Sequence, residues 1–244
     1  MTPTSELYSS LQKSFDFFNE TLFDRGLPTV IFTVQRQKSV MGYFAPDRWA
    51  SKEGKNCHEI AINPSYVGQA AIIELFQTLV HEMVHCWQHV HGTPGRRGYH
   101  NKEWAKKMKD VGLMPSTTGR PGGKETGERM SDYPIAGGLF IDKCKTLVSS
   151  ESFILPWVDR YARVTPPNEV FENYSEVLGD TDSVTVSSLT STVSELLQSE
   201  TLVIDTAAQK VKSKYTCQGC KANVWGRSGL NISCDDCDLS MEEN

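Results

Sequence analysis

The sequence predicts an α+β protein of 244 residues in three parts: a helix-and-sheet domain over 1–145, an acidic linker over 146–210, and a small metal-stabilised module over 211–244. Three observations predict it. Strand-like runs precede a long apolar helix that carries a polar His-Glu-His trio. A Ser/Thr-rich acidic stretch then interrupts the globular pattern, and two Cys-x-x-Cys pairs close the chain.

Leu7, Leu11, Phe15, Phe18 and Leu22 recur at helical spacing and mark a first core helix. Thr29–Gln35 and Val40–Phe44 read as strands with the Arg36–Ser39 turn between them, and His58–Ile62 is an alternating strand stopped by Asn63-Pro64. A peptide could add to an exposed edge of such a sheet through main-chain hydrogen bonds. Ile72, Ile73, Leu75, Phe76, Leu79, Val80, Val84 and Trp87 make the next helix strongly apolar. Gly92-Thr-Pro-Gly-Arg-Arg-Gly98 ends it and forces a turn, after which Asn101–Met108 reads as a returning helix. Thr117–Gly127 is a Gly/Thr-rich loop whose Gly122-Gly123 fits a mobile flap, a nucleic-acid contact or ordinary turn chemistry.

The apolar helix contains His81-Glu82-Met83-Val84-His85. Histidines at i and i+4 lie one turn apart on one helix face, so both imidazoles can reach one metal ion at zinc–nitrogen bond length. Glu82, beside the first ligand, is placed to take a proton from an attacking water, as the general base of a zinc peptidase does. Titratable groups in so apolar a helix are costly without a metal or partner.

Zinc in a catalytic site takes three protein ligands and keeps a fourth position open. His58, His89, His91 and His100 remain. His89 shares the face of His81 and His85, but eight helical residues span about 12 Å, too far for one ion. The metzincin pattern fails as well, because Gln88 stands where its helix-breaking glycine should be. His100, at the start of the returning helix, can face the first two ligands and is the candidate third. His58, His89 and His91 read as surface or supporting groups.

Cys217-Gln-Gly-Cys220 and Cys234-Asp-Asp-Cys237 are separated by 13 residues. Four thiolates so spaced suit a closed tetrahedral zinc site of the structural kind. A module this small cannot hold itself together by core burial alone, so the metal should supply its folding energy. Cys57, Cys86 and Cys144 are isolated and read as free thiols. The expected cofactors are thus two Zn²⁺ ions, one catalytic and one structural, with no nucleotide cofactor.

The net charge of −5 conceals an asymmetry. From His91 to Met130 there are nine Lys/Arg against four Asp/Glu; from Thr165 to Gln209 there are eight Asp/Glu and no Lys/Arg, with 14 Ser/Thr. The basic segment, including Arg96 and Arg97, follows the His-Glu-His helix and could attract phosphate. The acidic one reads as a flexible tether with a short helix at Val193–Leu197. Near the cysteine pairs, Lys221 and Arg227 interleave with Trp225, a mixture suited to stacking on unpaired bases, although Trp225 could equally pack the module's small core. No signal-peptide pattern and no run of apolar residues long enough to span a membrane is present, so a cytoplasmic protein is expected.

His81-Glu82-Met83-Val84-His85, then Gly98-Tyr99-His100 leading into Glu103-Trp104-Ala105, resembles the SprT-like zinc metallopeptidases, whose eukaryotic relatives include Spartan. The likeness runs from about Leu7 to Phe140 and takes in Gly42-Tyr-Phe44, Ile62-Asn-Pro64 and Thr126-Gly-Glu-Arg-Met130; it resumes at the cysteine pairs. The resemblance implies a zincin-type metallopeptidase domain followed by a zinc ribbon, with His81, His85 and His100 as ligands and Glu82 as catalyst. It also implies proteolysis of proteins bound or crosslinked to DNA. The cations and aromatic residues at the cysteine pairs favour single-stranded DNA as the partner, and a nucleoid- or DNA-associated place in the cytoplasm is expected. A general cytosolic zinc peptidase without a DNA link, and a non-catalytic nucleic-acid-binding protein on the same scaffold, are the alternatives; an intact Glu82 argues against the second.

Overall fold

The computed structural model describes residues 2–37, 40–96, 98–149, 155–159, 162, 177–179, 181–196 and 212–243. The chain divides into two compact units, Met1–Val203 and Ile204–Asn244. Both are mixed helix and strand or strand alone, built on small sheets. Among the described residues, no helix is long and apolar enough to cross a membrane.

In the first unit, α1 (Pro3–Leu22) starts at an N-cap Thr2 followed by Pro3, a residue whose fixed φ suits the first helical position. It buries Leu11, Phe15, Phe18 and Leu22, the face its periodicity predicts. Strands β1 (Val30–Val34), β2 (Gly42–Ala50) and β3 (Asn56–Ile62) form one sheet in the order β1-β3-β2. β3 runs parallel to β1 and antiparallel to β2. It takes the centre because Glu59, Ile60, Ala61 and Ile62 are all buried, so both of its faces are covered. The buried Glu59 carboxylate is satisfied by Thr33, Gln35, Tyr43 and Trp49. β2 is therefore an edge strand. It extends well past the expected Phe44, through a bulge between Ala45 and Trp49.

After the short α2 (Pro64–Val67), α3 (Ile72–His91) crosses the sheet. The Glu74 carboxylate accepts the Ala71 N–H at 2.8 Å and so caps its first turn. Ile73, Phe76, Val80, Met83 and Val84 are completely buried. Each such side chain contributes roughly 1.5–3 kcal/mol of burial free energy, which makes α3 the best-anchored element of the unit. Gly42 lets β2 lie against it: a Cβ there would sit 2.8 Å from Ala61 O and 3.0 Å from Thr78. The helix stops at Gly92, as predicted. The turn back to α4 (Lys102–Asp110) is stitched by Glu103, whose carboxylate accepts the Thr93 N–H at 2.7 Å and a Gln88 side-chain N–H at 2.8 Å. The Asn101 side chain caps α4 through the Trp104 N–H.

Several elements lie outside those that the sequence pattern marks. β4 (Leu113–Ser116) and β5 (Ser131–Pro134) pair antiparallel across the Thr117–Gly127 loop, and α5 (Leu139–Ser149) packs on α1, with Phe140 stacked on Phe18. The expected domain end at 145 thus falls inside α5. The stretch expected as a tether contains α6 (Ser183–Thr190) and α7 (Val193–Leu196), and its described residues Leu147, Leu155, Val177, Leu178, Leu189 and Val193 belong to the core. Ser191 O accepts the Ile72 N–H, and Val193 N–H reaches Ala70 O at 3.2 Å, which ties this segment to the start of α3. Ser/Thr richness and negative charge masked a sparse set of apolar positions that bury well. The remainder of 146–210, at 150–154, 160–161, 163–176, 180 and 197–210, lies outside the described residues.

The second unit holds β6 (Ser213–Thr216), β7 (Asn223–Gly226), β8 (Ser233–Cys234), β9 (Leu239–Ser240) and β10 (Glu242–Glu243). Its sheets are β10-β6-β7 and β8-β9. Tyr215 is its buried aromatic, with the hydroxyl donating to Arg227 O at 2.7 Å and accepting the Leu230 N–H at 2.8 Å. Trp225 is 62% exposed, so it does not pack the small core.

Candidate metal centres

His81 and His85 leave the same face of α3, with ring centroids 5.1 Å apart. The turn after Gly92 and the two-way backbone bridge between His100 and Gly127 bring the third ring to them. His85 Nε2 and His100 Nε2 lie 3.0 Å apart. His100 Nδ1 donates to Gly127 O at 3.1 Å, so its lone pair sits on Nε2, aimed at the His85 ring. Two imidazole nitrogens in that opposition need a cation between them or a shared proton. Burial, followed by the neighbouring rings, holds the pKa of His85 well below its ordinary value, and burial together with His81 holds that of His100 at about 4. Both rings are therefore neutral, the state a metal requires. The three donor nitrogens cluster within 4.8 Å of one another, so this set fits a zinc ion.

Two groups missed in the sequence complete the centre. Asp132, on β5, is 6% exposed and its Oδ2 lies 2.8 Å from His81 Nδ1. It accepts that N–H, leaving His81 Nε2 free to face the other rings. Burial depresses the His81 pKa, but the Asp132 hydrogen bond and the Glu82 and Asp132 charges raise it overall. Trp104 is completely buried beneath all three imidazoles, at 5.0 Å from His81, 5.4 Å from His85 and 4.4 Å from His100, and it walls the centre on its core side. General principle calls for a carboxylate behind a metal-bound histidine, but nothing local singles out Asp132, 51 residues from His81.

Glu82 lies against β2, where the Phe44 N–H donates to its carboxylate, and it stays close enough to His81 and Asp132 to feel their charge. Burial pushes its pKa up to about 7, against the opposing pull of His81 and the Phe44 N–H. A carboxyl group near neutrality is matched to both taking and returning a proton.

Cys217, Cys220, Cys234 and Cys237 form the second cluster, the first pair from the turn after β6 and the second from β8 and the turn that follows it. Gly219 makes the close approach possible, since a Cβ there would lie 2.8 Å from Cys237 Sγ. The backbone N–H groups of Cys220 and Gly219 lower the Cys217 thiol to about 7, while side-chain hydrogen bonds to Cys220 and Cys217 raise Cys234 and push Cys237 up to about 12. This donor set is likewise compatible with zinc.

The remaining histidines stand apart from the first centre. His91 hydrogen-bonds Gly26 O at 2.7 Å, and His58 and His89 lie together near Asp47. Of the expected nucleic-acid contacts, Lys221, Trp225 and Arg227 are exposed in the second unit. Arg96 is exposed but paired with Glu128 at 2.7 Å and set over Tyr99; Arg97 lies outside the described residues. Much of the basic segment is engaged internally, with Lys106 on Asp110, Lys109 on Glu125, and Lys107 over Phe23 and Trp87.

Residues 11–121 match the SprT-like family. Over 51 residues the chain is 45% identical to an "Uncharacterized protein in mucB 3'region" of Salmonella typhimurium, an alignment covering 21% of this chain and 69% of that protein. The chain belongs to the SprT-like family. No solved structure matches it significantly. For a SprT-like protein the family points to a metallopeptidase-like activity, and the matched stretch includes His81, Glu82, His85, His100 and Trp104 while leaving out Asp132 and all four clustered cysteines.

Proposed function

We propose that this SprT-like protein is a zinc-dependent endopeptidase of zincin type that cleaves proteins bound or crosslinked to DNA, with a C-terminal zinc ribbon that engages single-stranded DNA. The observation that carries the peptidase reading is the convergence of three imidazoles, those of His85 and His100 held neutral by burial, beside a buried carboxyl group that accepts the Phe44 N–H. His81, His85 and His100 would hold the zinc. When bound, the ion supplies Lewis acidity, lowering the pKa of water towards about 7 and polarising the scissile carbonyl. Glu82 takes the proton of the attacking water and returns it to the leaving amine. The Phe44 N–H orients that carboxylate, Asp132 orients His81, and Trp104 excludes water from the core side of the site.

The substrate chain is expected to add along β2, whose residues from Pro46 to Ala50 are exposed at the sheet edge. Main-chain pairing of that kind tolerates many side chains, which suits a protease of varied crosslinked proteins. The DNA reading rests on the ribbon, where the exposed Trp225 lies directly across from Lys214 between β7 and β6 with Arg227 and Lys221 nearby in sequence. A free indole face beside cations is a stacking platform for unpaired bases. We place the protein in the cytoplasm, in association with DNA.

The test is cleavage of a DNA-binding protein with and without single-stranded DNA, comparing wild type with Glu82→Gln. Wild type should cleave, and faster with DNA. The variant should keep its zinc and lose about 10²–10⁴-fold in rate. Near-wild-type turnover in Glu82→Gln would remove Glu82 from its role, and equal rates with and without DNA would reduce the assignment to a general peptidase.

A further inference from the structure

Asp47, His58 and His89, from β2, β3 and the last turn of α3, bring three metal donors within 4.8 Å of one another, and none of them belongs to the His81–His85–His100 centre. We propose that they form an additional metal site, a two-imidazole, one-carboxylate centre for a borderline divalent cation, with zinc as its first candidate. His89 sits one helical turn beyond His85. His58 lies on the central strand β3, and Asp47 lies in the β2 bulge with φ at 48°, in the left-handed region that Asp tolerates better than most L-residues.

The distances favour an ion over a simple hydrogen-bonded cluster. Asp47 Oδ1 is 3.5 Å from His58 Nδ1 and Asp47 Oδ2 is 3.6 Å from His89 Nε2. The carboxylate therefore spans both rings without bonding well to either. Spacings of this size close around an ion at about 2.0–2.2 Å from each donor with small side-chain rotations. The two rings stand edge to face at 5.0 Å, and Phe44 packs against both, at 5.6 Å and 6.0 Å, fixing their planes. His58 Nδ1 accepts the Asp47 N–H at 3.0 Å, which places its lone pair on the Asp47 side. Binding through Nδ1 releases that N–H to water, at little cost on an exposed bulge. With the Asp47 and His89 side chains 48% and 33% exposed, water can complete the coordination and the ion can exchange.

Imidazole and carboxylate donors together select zinc, copper, nickel or iron over calcium or magnesium, which prefer all-oxygen sites. An ion here would fasten the β2 bulge to β3 and α3. It would brace the edge strand whose Phe44 N–H holds Glu82.

The experiment uses the full chain with zinc and cobalt alone as probes. After equilibrium dialysis against buffered free zinc at neutral pH, wild type should retain about one ion more per chain than His58→Ala, His89→Ala or His89→Gln, the last removing the donor while keeping a polar side chain of similar reach. Because the measurement is a difference between proteins, it stands whether or not His81, His85 and His100 bind zinc. Equal zinc content in wild type and all three variants overturns the site. A readout on wild type alone guards against misfolded variants: cobalt should shift and broaden the ring resonances of His58 and His89. Shifts confined to His81, His85 and His100 overturn it as well.

Discussion

Removing the Asp132 carboxylate tests whether the proposed zinc depends on a group nowhere near it in the sequence. Asp132 is 6% exposed, its Oδ2 is 2.8 Å from His81 Nδ1, and its backbone carbonyl is held separately by the Gln77 side chain at 2.8 Å. In Asp132→Ala the strand should therefore stay in place while His81 loses the acceptor that sets its tautomer. A buried hydrogen bond to a charged group contributes about 1.5–3 kcal/mol. Loss of a carboxylate behind a metal-bound histidine typically costs about 10–100-fold in metal affinity, which corresponds to about 1.4–2.7 kcal/mol. The two scales agree, so zinc affinity at the histidine centre should fall by about 10–100-fold, read by chelator competition, with peptidase activity falling at sub-saturating zinc. Asp132→Asn should recover part of the loss, because its amide oxygen can accept the same N–H. A purely structural role predicts instead that affinity follows the stability of each variant. Zinc affinity within about twofold of wild type in Asp132→Ala would refute the reasoning.

Other outcomes follow from the same geometry. Leu189→Ala, in the segment that docks on α3 and α5, should destabilise the first unit by about 2–5 kcal/mol in denaturant unfolding, whereas a flexible tether would show no change. Chelation of zinc should abolish the dispersed amide signals of the second unit, because so small a module folds with its metal, and Gly219→Ala should weaken zinc retention there through the Cβ that meets Cys237 Sγ. Persistence of the folded signals in metal-free protein would count against the ribbon. Truncation before Lys210 should leave slow cleavage of an unfolded protein intact while removing DNA stimulation and salt-sensitive DNA affinity; undiminished stimulation would move the DNA contact to the basic segment of the first unit.

What could be read from the chain alone was local. The His81–His85 spacing places two rings on one face through helix geometry that needs no tertiary partner, and the cysteine pairs declare their cluster by short spacing in the same way. The apolar faces of α1 and α3 are likewise set by period. His100 was within reach because a glycine-rich turn of few residues can only bring it back towards the helix it left. The middle position of β3 depended on burial of both its faces, and the docking of α6 depended on a few apolar residues whose partners lie in α3 and α5, far away in sequence. Asp132 and the Asp47–His58–His89 cluster are likewise products of long-range closure: the groups that meet are on separate elements, and nothing near any one of them marks the others. Helix periodicity and ligand spacing are encoded within one or two turns of chain. The identity of a partner across the core is decided only when the whole fold has closed, since it is burial and packing that select which carboxylate faces which ring.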